Sequence, residues 1–273
     1  MIGQNWFAWS RTLAAIGLIV TTLEYLAALS LFGEDGILSW RIFVTHSRPL
    51  RFQFLENWRK AFFRPSIVAA LSVLRLLSVL ALLIPHQSQG AYLIYLAIAF
   101  VTGCLISYRC MFGGDGSDQM HTIVLAGLIV YCLLGTTQAG EWQNIGIWFI
   151  ALQSCLSYLS AGVSKLVSKK WRDGSAAFLI FNTCSYGTQG LANVLRDSHT
   201  NRLLMCWGVI VFECLFPLCL IAPEPVLLTF LACGVFFHLC NAVFMGLNTF
   251  LWAFAATYPA IIYCHNQLGQ WLR

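Results

Sequence analysis

Only 10% of the 273 residues are charged. Few side chains could therefore move a proton or hold a polar group inside the apolar sequence, and several of these fall at helical spacing. Lys165 is preceded by Gly162 and Tyr158 at intervals of three and four residues, which puts all three on one helix face with the lysine over the gap left by the glycine. A lysine held in an apolar pocket gives up its proton more readily than one in water and can act as a base. A lysine near the end of a span also reaches easily to the headgroups. His238 and Asn241 lie three residues apart, with Gly234 four residues before the histidine. That face offers a donor, an acceptor and open space, for a packed histidine or for one that exchanges a proton. Gln153, Ser157, Ser160 and Ser164 recur at intervals of four, three and four, a polar stripe expected to face other helices. Small residues at Ser157, Ala161 and Gly162 would let a neighbouring helix come close. Glu24, Arg75 and Glu213 complete the set, as structural ion pairs or as parts of a site.

The elements that must position these residues are membrane helices. Hydrophobic residues make up 59% of the chain and the mean hydropathy is +0.73, whereas a soluble domain carries roughly a quarter of its residues as charges. The apolar residues form eight blocks, Thr12 to Phe32, Pro65 to Ile84, Ala91 to Tyr108, His121 to Thr137, Asn144 to Val167, Leu203 to Ala222, Val226 to Phe244 and Leu247 to Cys264. Their length matches the roughly 20 residues of a helix that crosses hydrocarbon, not the short alternating segments of a barrel. The expected fold class is all-α, a polytopic integral membrane bundle of about eight transmembrane helices with interfacial or re-entrant helices. Residues 1–273 are expected to form a single transmembrane domain without a separate soluble one, and the lipid bilayer is its first partner.

A net charge of +5 would suggest nucleic acid in a soluble protein, but here topology explains it. Arg41, Arg48, Arg51, Arg59, Lys60 and Arg64 follow the first block, and Lys169, Lys170, Arg172, Arg196 and Arg202 follow the fifth. Eight spans put both loops on one side, the cytoplasmic one by the positive-inside rule, and no nucleic-acid partner is expected. Trp40, Phe43, Phe52, Phe54, Trp58, Phe62 and Phe63 are interleaved with the first group, which suits a segment in the headgroup region. The apolar run Ala176 to Phe181, inside Ala176 to Leu195, reads as an interfacial or re-entrant helix. The eleven cysteines contain no C-x-x-C pair and read as small packing residues, with Cys110 and Cys184, near loop ends, as the two suited to redox chemistry. No metal site is expected. The first 32 residues lack the basic start of a signal peptide and read as an uncleaved span.

Tyr158-Leu-Ser-Ala-Gly-Val-Ser-Lys-Leu166, followed by Trp171-Arg-Asp-Gly174, resembles the signature of the HTTM family, the membrane domain shared with vitamin K-dependent γ-carboxylase. Phe32-Gly-Glu-Asp-Gly-Ile-Leu38 is similar to that family's acidic-glycine turn after the first span. Gly113-Gly-Asp-Gly-Ser-Asp-Gln119 is similar to its Gly-Asp loop before the fourth, and Phe237-His-Leu-Cys-Asn241 with Phe250 to its late histidine helix. The resemblance, to a small bacterial-type member, implies a membrane enzyme that uses a vitamin K-like quinol, with Lys165 as the base. It implies His238 and Asn241 beside the reacting groups, Tyr158, Gly162, Trp171 and Phe250 around the cofactor, and an inner cell membrane location. The carboxylase carries a large soluble region after its membrane domain. None is expected before Arg273, so a small secreted peptide, a membrane partner protein or a small molecule is the expected target.

Two other readings fit the same sequence. One is a non-enzymatic membrane component for maturation, export or immunity of a secreted peptide; the other is a DoxX-like partner exchanging electrons between quinone and thiols. A channel would need a repeated filter-like sequence and a secondary transporter matching interrupted helices, and neither pattern is present.

Overall fold

The computed structural model describes residues 5–48, 51–110, 114–137 and 140–271, and every regular element among them is helical. Seven helices are long and apolar enough to cross a membrane: Trp6–Ala27, Pro65–Leu82, Gln89–Arg109, Gly116–Thr136, Trp142–Val167, His199–Leu220 and Glu224–Met245. They fall on the first seven expected blocks and mark a multi-pass membrane protein. Their outer faces stay apolar, as Leu74, Leu77 and Leu80 or Val235, Phe236, Leu239 and Val243 show. Hydrocarbon offers no partner to a polar group, so this is the surface that lipid requires. The helices pack as two compact units, one of Arg11–Gly146 and one beginning at Ile147, to which the start of the first helix up to Ser10 belongs. No linker marks the division in the sequence, because it falls inside a helix.

The Arg11–Gly146 unit contains most of α1 (Trp6–Ala27), then α2 (Trp40–His46), α3 (Gln53–Phe62), α4 (Pro65–Leu82), α5 (Gln89–Arg109) and α6 (Gly116–Thr136). α5 packs against both α4 and α6. The helix starts are capped: Ser88 accepts the Ala91 N–H at 3.2 Å, and Asp115 accepts those of Ser117 and Asp118 at 2.9 and 3.2 Å. The Gly-Asp loop thus works as the cap of α6, while its first residue, Gly113, lies outside the described residues. The acidic-glycine turn closes with the Leu38 N–H on the Leu31 carbonyl at 2.9 Å. The segment expected among headgroups forms α2 and α3.

The second unit contains α7 (Ile145–Val167) from Ile147 on, α8 (Lys169–Arg172), α9 (Ser175–Phe181), α10 (Gln189–Asp197), α11 (His199–Leu215), α12 (Glu224–Met245), α13 (Asn248–Ala255) and α14 (Tyr258–Trp271). The run Ala176 to Phe181 is one helix, α9, and the longer segment Ala176 to Leu195 is two, α9 and α10, whose Ala176, Ala177, Phe181, Ala192 and Leu195 pack with Cys206 of α11. Gly174 turns the chain between α8 and α9 at a φ of +81°, a conformation that costs glycine least. The eighth block is not one helix. Pro259 has no N–H and its ring conflicts with the carbonyl four residues back, which belongs to Ala255; α13 ends there and α14 starts at Tyr258. The inward face of α7 also differs from expectation. Ile147, Ile150, Ala151, Ser154, Cys155 and Tyr158 are buried, whereas Ser160 and Ser164 face outward, each satisfied by a carbonyl of its own helix at 3.1 and 2.8 Å.

Candidate functional site

Within the second unit, three helices meet at an enclosed polar chain. The Tyr158 hydroxyl of α7 lies 2.7 Å from His238 Nε2 of α12 and 2.9 Å from the Tyr258 hydroxyl of α14. All three side chains are buried, at 2%, 3% and 7% exposure. A Cβ at Gly234 would collide with the Tyr258 hydroxyl, so the open space expected before His238 exists and Tyr258 occupies it. The break between α13 and α14 makes this placement. It points Thr257 and Tyr258 at α7, where Thr257 meets the Ser154 hydroxyl at 2.9 Å and Tyr258 meets Tyr158.

Aromatic rings wall the chain. Phe216 stacks on Tyr158 with centroids 3.8 Å apart, and Phe254 stacks on His238 at 4.3 Å with Phe250 beyond it at 6.2 Å. His238 Nδ1 is buried and has no hydrogen-bond partner. The imidazole is therefore bonded on one side and open on the other. If Tyr158 donates to Nε2, the open Nδ1 carries the hydrogen; if Tyr158 accepts, Nδ1 is a free acceptor. With Nδ1 free, the ring can take a proton there and hold it as an imidazolium that donates to Tyr158 at Nε2; with Nδ1 protonated, it can give that proton up while Nε2 takes the Tyr158 proton and leaves a phenolate.

Lys165 belongs to a different group. It stands two helical turns, roughly 10 Å, along α7 from Tyr158, with its Nζ 2.8 and 2.6 Å from the two Glu213 oxygens of α11. Trp171 lies beneath it, 5.2 Å from Nζ to the ring centroid. Gly162 allows this approach, because a Cβ there would lie 2.7 Å from the Cys214 nitrogen on α11. The lysine is thus neither stretched to the headgroups nor a free amine. Its Nζ is engaged by both Glu213 oxygens.

The residues singled out by spacing or by the resemblance fall into two sets, Tyr158, His238 and Phe250 in one, Lys165, Gly162 and Trp171 in the other. Asn241 joins neither; it is half-buried, and its carbonyl accepts the Leu247 N–H at 3.2 Å to close α12. Spacing missed Tyr258, Thr257, Ser154 and the enclosing Phe216 and Phe254. The one signal for them was the Tyr-Pro dipeptide within an apolar block. Glu213, read as an ion-pairing residue or as part of a site, pairs with Lys165. Glu24 and Arg75, read likewise, form no ion pair among the described residues. Glu24 is exposed, whereas Arg75 is 5% exposed with its Nε unpartnered. Cys110 is buried, and burial pushes its thiol up to about 11, away from redox reactivity. Cys184 is exposed. No family model matches the chain, and no curated protein or solved structure matches it.

Proposed function

We propose that this chain is a quinol-dependent membrane enzyme of HTTM type that acts on a peptide or small molecule in the inner cell membrane. The observation that carries the reading is the buried Tyr158–His238 bond of 2.7 Å beside an unpartnered His238 Nδ1. An orphaned imidazole nitrogen among aromatic planes fits a quinol, whose ring suits the faces of Phe250 and Phe254 and whose oxygen suits Nδ1. A bound quinol would supply two electrons and dissociable hydroxyl hydrogens. His238 takes or gives the proton at Nδ1, Tyr158 relays it at Nε2, and Tyr258 shares the charge through its hydroxyl. The phenylalanines exclude water from these groups. In this reading Lys165 acts as a base by passing one proton to Glu213 along the 2.6 Å bond and taking another from the substrate. While charged, it favours an anionic oxygen nearby.

The test is quinone binding by the purified protein, followed by tryptophan fluorescence. His238→Leu and Tyr158→Phe are expected to weaken binding about threefold to tenfold, the worth of one hydrogen bond. Lys165→Met is expected to bind normally and to lose turnover. Binding unchanged in His238→Leu, or absent in the unaltered protein, would refute the reading. The outward Ser160 and Ser164 favour a second reading, a non-enzymatic component for a secreted peptide that docks on α7. It predicts crosslinks from that face to a peptide whose mass does not change.

A further inference from the structure

In the Arg11–Gly146 unit a cleft of about 580 Å³ opens between the turn before α2 and the junction of α3 with α4. Arg41, Lys60 and Arg64 line it, with Glu34 as its single carboxylate, and all four are exposed. Three cations against one carboxylate leave a surplus of two positive charges. None of the three is in an ion pair among the described residues, whereas Arg59 beside them is taken up by Glu56 at 2.7 Å.

A buried group holds the cleft in shape. Arg109, 1% exposed, reaches from the end of α5 to the Arg64 carbonyl at 3.2 Å and toward those of Phe62 and Leu38 at 3.5 and 3.4 Å. Both walls are thereby tied to one guanidinium, which itself lies 5.1 and 4.5 Å from the ring centroids of Phe32 and Phe63. Beside the cleft, α3 has no buried residue and shows Phe54 and Trp58 at 60% and 74% exposure. A short helix with uncovered aromatic residues and a basic side is built to lie in the headgroup layer. At that depth the anion that meets uncompensated cations is a lipid phosphate.

We propose that this cleft binds the phosphate of an anionic phospholipid, with Lys60 and Arg64 as its main contacts, Arg41 at its rim, and the acyl chains alongside Phe54 and Trp58. A surplus of two positive charges more than balances the single negative charge of one phosphodiester and falls short of that of a polyanion.

The experiment is native mass spectrometry of the full-length protein released from detergent in an equimolar mixture of phosphatidylglycerol and phosphatidylcholine. The unaltered protein is expected to retain phosphatidylglycerol selectively. Lys60→Gln with Arg64→Gln should lower that retention about 25-fold, from roughly fivefold per basic residue at a membrane surface. Ala61→Trp, which fills the cleft and keeps every charge, should abolish it. Arg51→Gln, a change in the same loop but outside the cleft, should alter it by less than about twofold. Equal retention of the two lipids overturns the proposal. So does an Arg51→Gln loss as large as that of the double variant, which would mean a diffuse basic surface. Displacement of the lipid by glycerol phosphate at equal concentration would overturn the lipid as ligand and assign the cleft to soluble phosphates.

Discussion

Removing Lys165 should cost more stability than removing Glu213, and removing both should cost least. The asymmetry follows from exposure, because the Glu213 side chain is 5% exposed and that of Lys165 is 19%. Lys165→Met leaves a carboxylate enclosed and unpartnered. Breaking a buried pair from one side in this way costs about 3–5 kcal/mol. Glu213→Leu leaves an ammonium on a flexible four-carbon stem that can move outward to water or headgroups, so about 1–2 kcal/mol is expected. The double variant replaces the whole pair by apolar groups and should lie within about 1 kcal/mol of the unaltered protein. Even the low end of these figures gives a coupling energy of about 3 kcal/mol, well outside additive behaviour. The measurement is the unfolding midpoint of the four proteins in one detergent. Equal costs for the two single variants, or a double variant that costs their sum, would refute the geometry on which the pair rests. A double variant that folds normally and lacks turnover would separate the pair's part in chemistry from its part in packing.

Tyr158→Phe removes the hydroxyl that bridges His238 and Tyr258, leaving a buried imidazole bonded at neither nitrogen; a loss of about 1–3 kcal/mol in thermal unfolding is expected, larger than that of Tyr258→Phe. Gly162→Ala puts a Cβ 2.7 Å from the Cys214 nitrogen and 2.8 Å from its sulfur, and the forced separation of α7 from α11 should cost about 1–3 kcal/mol, with loss of protection from hydrogen exchange around Glu213. Asp173 accepts the Ser175 hydroxyl at 2.6 Å and its N–H at 2.9 Å, which hold its carboxyl below the ordinary aspartate value. A depressed carboxyl contributes stability above its unfolded value of about 3.9 and loses it as the pH falls through the folded value. Amide protection at the start of α9 should therefore fall on acidification below about pH 4, and Asp173→Asn should flatten that dependence.

Seven long helices were legible because bilayer thickness fixes their length and leaves the apolar run unbroken. Asp115 and Asp173 bond within two or three residues of their own position, yet they entered the reading of the sequence only through the family resemblance. The eighth block misleads because hydropathy does not register Pro259, whose effect is confined to the carbonyl four residues before it. The polar stripe of α7 misleads for another reason. Periodicity shows which residues share a face but not which face points inward, and Ser160 and Ser164 need no partner helix because their own backbone satisfies them. Tyr158 and His238 could be marked by spacing, yet their bond joins residues 80 apart in sequence. The bond from Lys165 to Glu213 joins residues 48 apart, and spacing along one helix carries nothing about such partners.

The stretches that resemble the HTTM family do not contribute equally to a chemical reading. The acidic-glycine turn, the Gly-Asp loop and the Trp-Arg-Asp-Gly turn each perform a local structural task, closing a turn or capping a helix, and any protein needing those turns could use the same residues. The Tyr158–His238–Tyr258 chain ties α7 to α12 and α14, a task that apolar side chains could also perform. Phenylalanine at both tyrosines and leucine at the histidine would fill the same space without taking three polar groups out of water, and such replacements of buried polar networks are commonly neutral or stabilising. A network kept for rigidity alone would close every donor and acceptor, because an open one weakens it. This network is closed at Nε2 and open at Nδ1. His121 is also buried with one nitrogen bonded and the other unpartnered, so what sets His238 apart in the proposed function is its bond to the Tyr158 phenol and its stacking on Phe254.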